Sequence, residues 1–148
     1  MTLKTVVVEK LLASLRRYLT QARSVQAIPL GELTADWVRW NGVLHILQLC
    51  VEHVVDIGNH LLAARDVVSD SNRETILMLG RLGIVPLDFA NRIVPMTGFR
   101  NVVVHEYLTV DPAIVERVLK YGLDDFEQYI EFIYDYLRRE GHLPTDTQ

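Results

Sequence analysis

The chain has 148 residues, 49 % of them hydrophobic, with five prolines and eight glycines, a composition that excludes a disordered or collagen-like chain. A net charge of −4 excludes a generally basic, nucleic-acid-coating surface, so any RNA contact must be a local basic site. The single cysteine, Cys50, excludes an intramolecular disulfide or a Cys-based zinc cluster. The length predicts one domain over 1–148, with a core over about 2–139 and a polar tail over 140–148.

The first predicted helix runs from Thr2 to about Arg23, with Leu3, Val7, Val8, Leu11, Leu15, Tyr18 and Leu19 at helical spacing. The opening MTLKTVVVEK is too short an apolar run for a signal peptide, and no stretch reaches the ~20 apolar residues of a membrane span. The expectation is a soluble cytoplasmic protein with no membrane partner. Ile28-Pro29-Leu30-Gly31 ends the helix, and Thr34 is read as the N-cap of the next, with Asp36 in its first turn.

That second helix is the longest. Trp40, Leu44, Leu47, Val51, Val54, Gly58 and Leu61 alternate steps of four and three, a seam that needs a helical neighbour within the chain or across a dimer axis. Its other side carries Glu52, His53, Asp56, Asn59 and His60. Cys50 falls in the apolar pattern and reads as a buried, inert thiol.

A polar connection over 65–72 leads to Ser71-Asn72-Arg73-Glu74, a capping-box pattern starting a short helix that ends near Gly80 or Gly83. Pro86 opens another, Pro95 suits the first turn of its successor, and Asp111-Pro112 repeats the cap-plus-proline signal. Gly122 kinks or restarts the last region, whose apolar set Phe126, Ile130, Ile133 and Leu137 continues to about Arg139. No strand-length alternation, repeat or second domain is visible. The pattern predicts an all-α, up-and-down helical bundle of about four main helices plus short ones.

Three groups of residues are candidates for chemistry. His53, Asp56 and His60 share one stripe and are metal-ligand types, but no His-Glu-x-x-His pair or second cluster accompanies them, so no metal or cofactor is expected. Tyr129, Tyr134 and Tyr136 offer a stacking surface for bases, yet their helical spacing reads as core and rim, with phenols reaching water. The third is the stretch Phe99-Arg100-Asn101-Val102-Val103-Val104-His105-Glu106-Tyr107. On a helix Asn101 and His105 sit one turn apart, Arg100 and Tyr107 share a face, and Arg100 and His105 lie about 140° apart.

This stretch supplies a forked cation for phosphate, an imidazole that moves protons near neutral pH, and an amide and a phenol to orient groups. Those parts suffice for metal-independent cleavage of RNA, in which a base deprotonates a ribose 2′-OH and a cation stabilises the phosphorane. The chemistry alone equally allows Arg100 to bridge to Glu106 or Asp111 while His105 caps a helix end.

The string Arg-Asn-x3-His-x-Tyr, followed by Leu108-Thr109-Val110-Asp111, resembles the signature of the HEPN superfamily, and in particular its HepT-type ribonuclease toxins. Asp56-Ile57-Gly58-Asn59-His60, Gly98-Phe99-Arg100-Asn101 and Gly122-Leu123-Asp124-Asp125-Phe126 fit the same pattern, which extends to about Leu137. The resemblance implies a toxin of a type VII-like toxin–antitoxin pair that cleaves tRNA or mRNA. It matches Arg100 and His105 to the catalytic pair, with Asn101 and Tyr107 as supporting residues and Asp56 as an interface residue shaping the cleft. It further implies a homodimer with a composite cleft, and a minimal nucleotidyltransferase antitoxin that transfers AMP to Tyr107. The alternative it leaves is a non-catalytic HEPN module that binds a nucleotidyltransferase or a nucleotide.

Overall fold

The structure is a computed structural model that describes residues 2–99 and 110–144. Among these residues every regular element is helical. In chain order they are α1 (Thr5–Val25), α2 (Leu30–Ala35), α3 (Trp37–Ala63), α4 (Asn72–Arg81), α5 (Leu87–Ile93) and a 3₁₀ turn (Val94–Gly98). After the motif come α6 (Pro112–Arg117), a π-helical turn (Val118–Gly122) and α7 (Leu123–Arg139).

The helices begin where polar caps stand, with one displacement from the sequence expectation. Asp36, not Thr34, caps α3: its carboxylate accepts from the N–H groups of Val38 (3.1 Å) and Arg39 (3.2 Å). Thr34 instead ends α2, and its hydroxyl donates back to the Leu30 carbonyl. The separate helix α2 intervenes because Pro29 at its N-cap sets the backbone for a new start. Ser71 accepts from Glu74 N–H at 3.1 Å as the capping box predicts, but the Glu74 carboxylate reaches the N–H of Asp70 (2.6 Å) rather than that of Ser71.

The end of α4 takes a left-handed residue. Gly83 has φ +71°, and the paired bonds Gly83 N–H to Gly80 carbonyl and Ile84 N–H to Leu79 carbonyl satisfy the last turn. At Asp111 the carboxylate accepts from Ala113 N–H at 2.9 Å, and Pro112 occupies the first position of α6, as its spacing predicts.

The core is built around α3, which packs on α1, on α4 and on α7. Its seam residues Leu44, Leu47, Val51, Val54, Gly58 and Leu61 are buried, so the seam is answered by helices of the same chain. On α1 the buried set is Val8, Leu12, Leu15, Leu19 and Ala22, a face that leaves Val7 and Leu11 half-exposed. Gly58 marks the closest helix approach along the seam: a Cβ there would stand 2.9 Å from Thr75 Cγ2 and 3.0 Å from Leu79 Cδ1. Only a residue without a side chain lets α4 lie this near to α3.

Two polar groups are stitched into this core. Thr75 is buried, and its hydroxyl is shared among Asn59 Oδ1 (2.8 Å), the Ser71 carbonyl and Ser69, which ties the loop before α4 to α3. Tyr129 of α7 is fully buried and its hydroxyl donates to the Val54 carbonyl at 2.8 Å. The sequence expectation had this phenol reaching water; the backbone of α3 takes that place. Burial pushes its ionisation well above the ordinary tyrosine value. Arg23 fastens α1 to α7 from outside through Asp124 (2.8 Å) and Glu127 (2.9 Å). No helix among the described residues is long and apolar enough to cross a membrane.

Candidate functional site

Arg100, Asn101, His105 and Tyr107 lie outside the described residues, and the segment that carries them runs from Phe99 to Val110. On the N-terminal side, the 3₁₀ turn Val94–Gly98 delivers Phe99, which is buried in the core and whose N–H bonds to the Met96 carbonyl. On the C-terminal side, Val110 packs against the core and Asp111 starts α6. Phe99 and, beyond Asp111, Ile114 of α6 line a common cleft.

The cleft has a volume of about 510 Å³. Its floor is Leu47 and Val51 from α3 and Phe126 from α7. One wall is the end of α5 with the 3₁₀ turn, contributing Arg92, Ile93, Met96 and Phe99; the other is α6 with the π turn, contributing Ile114, Arg117, Val118 and Tyr121. Phe99, the residue immediately before Arg100, is therefore part of the cleft wall.

The π turn shapes that second wall. Its i→i+5 bonding widens the helix locally, and such single turns are frequent at functional sites. Gly122 closes the turn with Val118 Cγ1 only 3.3 Å from where its Cβ would be. Gln26 donates to the Leu119 carbonyl at 2.7 Å, supplying a partner to backbone within the distorted turn. Tyr121 stands 73 % exposed on its outer edge.

Charge at the mouth is arranged asymmetrically. Arg92 is held by Asp125 (3.2 Å) and Gln128 (2.6 Å), with its guanidinium 5.2 Å over the Phe89 ring. Arg117, at the last position of α6, has no carboxylate partner among the described residues. The sequence reading did not single out Arg92, Arg117 or Tyr121. Their available signal was position: each lies on a short element flanking the motif, and Tyr121 precedes the Gly122 break.

The polar side of α3 is resolved into separate tasks. Asp56 is exposed and lines a shallow groove of about 330 Å³ with Val7, Leu11, Asn59, His60 and Ala63. On α3 it is about 140° from Val51, so one subunit does not bring it to the cleft beside Phe99. Asn59 serves the Thr75 network. His53 is half-buried, its Nδ1 lies 2.8 Å from the Leu49 carbonyl, and its ring meets Tyr18 edge-on at 5.3 Å. Because a carbonyl only accepts, Nδ1 carries the proton. Among the described residues no three His, Cys, Asp or Glu side chains converge as a metal set. Cys50 is buried and its thiol is pushed up to about 12, so it stays protonated and unreactive at neutral pH.

Comparison with known proteins places this architecture. The family model described as Ribonuclease HepT-like matches residues 15–133. A relative named tRNA nuclease HepT, from Aphanizomenon flos-aquae, is 29 % identical over 136 residues, covering 91 % of this chain and 92 % of that protein. A second, named mRNA nuclease HepT, from Shewanella oneidensis, is 29 % identical over 104 residues, 70 % of this chain and 78 % of its own. Among solved structures, the tri-AMPylated HEPN toxin of Shewanella oneidensis in complex with its MNT antitoxin superimposes with a TM-score of 0.80 at 25 % identity. That match covers 87 % of this chain and 97 % of the other, so the bundle has the HEPN fold.

Proposed function

This chain belongs to the HepT-like ribonuclease family, and on that premise we propose that it is an endoribonuclease toxin whose catalytic segment is Arg100 to Tyr107. The observation that carries the reading is the complete string Arg100-Asn101-x3-His105-x-Tyr107 inside the span matched by the family model. The names of two relatives, one a tRNA nuclease and one an mRNA nuclease, support RNA as substrate.

In the proposed reaction His105 takes the proton of a ribose 2′-OH and the freed oxygen attacks the adjacent phosphorus. Arg100 neutralises the charge that builds on the phosphorane, the P–O5′ bond breaks as the 5′-oxygen takes the proton that His105 removed, directly or through water, and a 2′,3′-cyclic phosphate remains. Asn101 and Tyr107 orient the reacting groups. The chemistry uses general acid–base and cationic groups alone, so it proceeds without metal.

A homodimer with two copies of the motif at one cleft doubles the local positive charge of a chain whose net charge is −4. It also gives Asp56 a route to the site, from the α1–α3 groove of one subunit toward the motif of the other. The solved toxin–antitoxin complex supports an MNT-type nucleotidyltransferase as partner, and its AMPylated state supports inhibition by AMP transfer, for which Tyr107 is the acceptor in this reading. An adduct there places an anionic group beside Arg100 and blocks the phosphate position. The proposed setting is the cytoplasm.

The test is cleavage of total RNA by the purified chain in EDTA. We expect cleavage, with His105→Ala lowering the rate about 10²- to 10⁴-fold and leaving the unfolding midpoint unchanged. A chain that binds the nucleotidyltransferase yet cuts no RNA would be an interaction module instead, and undiminished cleavage by His105→Ala would remove that residue from the mechanism.

A further inference from the structure

We propose that the cleft between the α5 wall and the α6 wall is a subsite for one unstacked base of single-stranded RNA, a nucleotide flanking the bond that is cut. This inference rests on the ribonuclease reading and deepens it by naming how substrate is held. Location is the first argument. The walls come from the two segments that bracket the motif, and Phe99, in one wall, is joined directly to Arg100.

Composition is the second. The lining is mostly apolar, with Ile93, Met96 and Ile114 in walls above the buried Leu47, Val51 and Phe126, and its charged groups are Arg117 and the Arg92–Asp125 pair. A nucleotide matches both features at once, because its base has an apolar face and its phosphate is an anion. A volume of about 510 Å³ falls within the ~300–1,000 Å³ in which small ligands are enclosed. A purely apolar protein surface would leave Arg117 desolvated without an anion.

The third argument is Tyr121. Tyr121, 73 % exposed on the π turn, gains little from folding, yet it lines the cleft. Base stacking on such a ring is tolerant of base identity, which suits a subsite beside the cut rather than a reader of sequence. Arg92 is held in place by Asp125 and Gln128, which leaves Arg117 as the group to meet the phosphate.

The experiment uses the full chain carrying His105→Ala, which keeps the RNA intact, and a fluorescein-labelled single-stranded RNA 12-mer of mixed sequence. Fluorescence polarisation reads Kd at two salt concentrations. Adding Tyr121→Ala is expected to raise Kd about tenfold, whereas Tyr121→Phe stays within about twofold. Adding Arg117→Ala is expected to raise Kd about fivefold and to reduce the salt slope by about one. With His105 intact, Tyr121→Ala is expected to raise KM with kcat kept within about twofold.

Unchanged Kd and KM in a folded Tyr121→Ala chain, while the parent cleaves RNA, would overturn the subsite and leave the ribonuclease reading standing. Loss of oligomeric mass or of nucleotidyltransferase binding in Tyr121→Ala, with RNA affinity unchanged, would overturn it in favour of a protein contact. A parent that cuts no RNA, but whose RNA binding still drops in Tyr121→Ala, would remove the enzyme reading and overturn the placement beside a cut bond, leaving only an RNA contact.

Discussion

Two stretches of the α3 seam are surrounded in opposite ways. Toward α1, α4 and α7 the helix is locked: Gly58 lets α4 in to contact distance, Tyr129 takes the Val54 carbonyl, and Thr75 closes a hydroxyl network on Asn59. At Leu47 and Val51, themselves buried, the same helix backs a cleft walled by elements of five to seven residues and a π turn. Both regions draw on one seam of apolar residues. What differs is the partner: α1, α4 and α7 pack along the seam as long helices, whereas the short elements after α4 leave a cleft between their walls. The contrast teaches that stability and ligand capture are carried by different neighbours of a shared helix.

The sharpest way to break that division is to damage the locked side. Leu12→Ala removes a fully buried side chain of α1 and is expected to cost about 2–5 kcal/mol of stability, measured by urea unfolding. Cleavage per folded molecule should be unchanged at temperatures below the transition. Loss of activity in the folded fraction would show that the core and the site are coupled.

A smaller effect is expected at the α3–α4 approach. Gly58→Ala places a methyl 2.9 Å from Thr75 Cγ2 and should cost about 1–3 kcal/mol through overpacking. Since Thr75 also holds Asn59 and Ser69, hydrogen exchange in the loop over 64–71 should quicken in this variant. Protection equal to wild type would mean that α4 moves as a unit to make room.

Tyr129→Phe keeps the ring and deletes one hydrogen bond to Val54, so its expected cost is about 0.5–1.5 kcal/mol. Thermal unfolding reads this directly. On the open side, Tyr121→Ala is expected to stay within about 0.5 kcal/mol of wild type, because the removed ring is largely exposed. A larger loss there would make the π turn part of the packed core and dissolve the comparison.

The bundle itself was readable because apolar periodicity reports burial whichever neighbour supplies it. Leu47, Val51, Val54 and Gly58 announce a seam on α3 before any partner is known. Cap chemistry was readable where the residue acts on its own next turn, as at Ser71 and Asp111. It misled at Thr34, because two acceptors two residues apart compete and the short helix α2 decides between them. The destination of the Tyr129 hydroxyl was not readable at all, since its acceptor lies 75 positions away.

For the candidate site the division is sharper. The motif Arg100-Asn101-x3-His105-x-Tyr107 is local, so the sequence by itself determined which residues to test, and its chemistry follows from side-chain type. The tertiary structure decided what stands next to that segment. Arg92, Arg117 and Tyr121 come from elements on opposite sides of the motif, and only the packing of α5, α6 and the π turn around α3 brings them to one cleft. Asp56, which the sequence grouped with the motif, is carried by helical rotation to another groove of the same subunit. Periodicity fixes the face a residue occupies on its own helix, whereas neighbours distant in sequence are fixed by how the helices pack together.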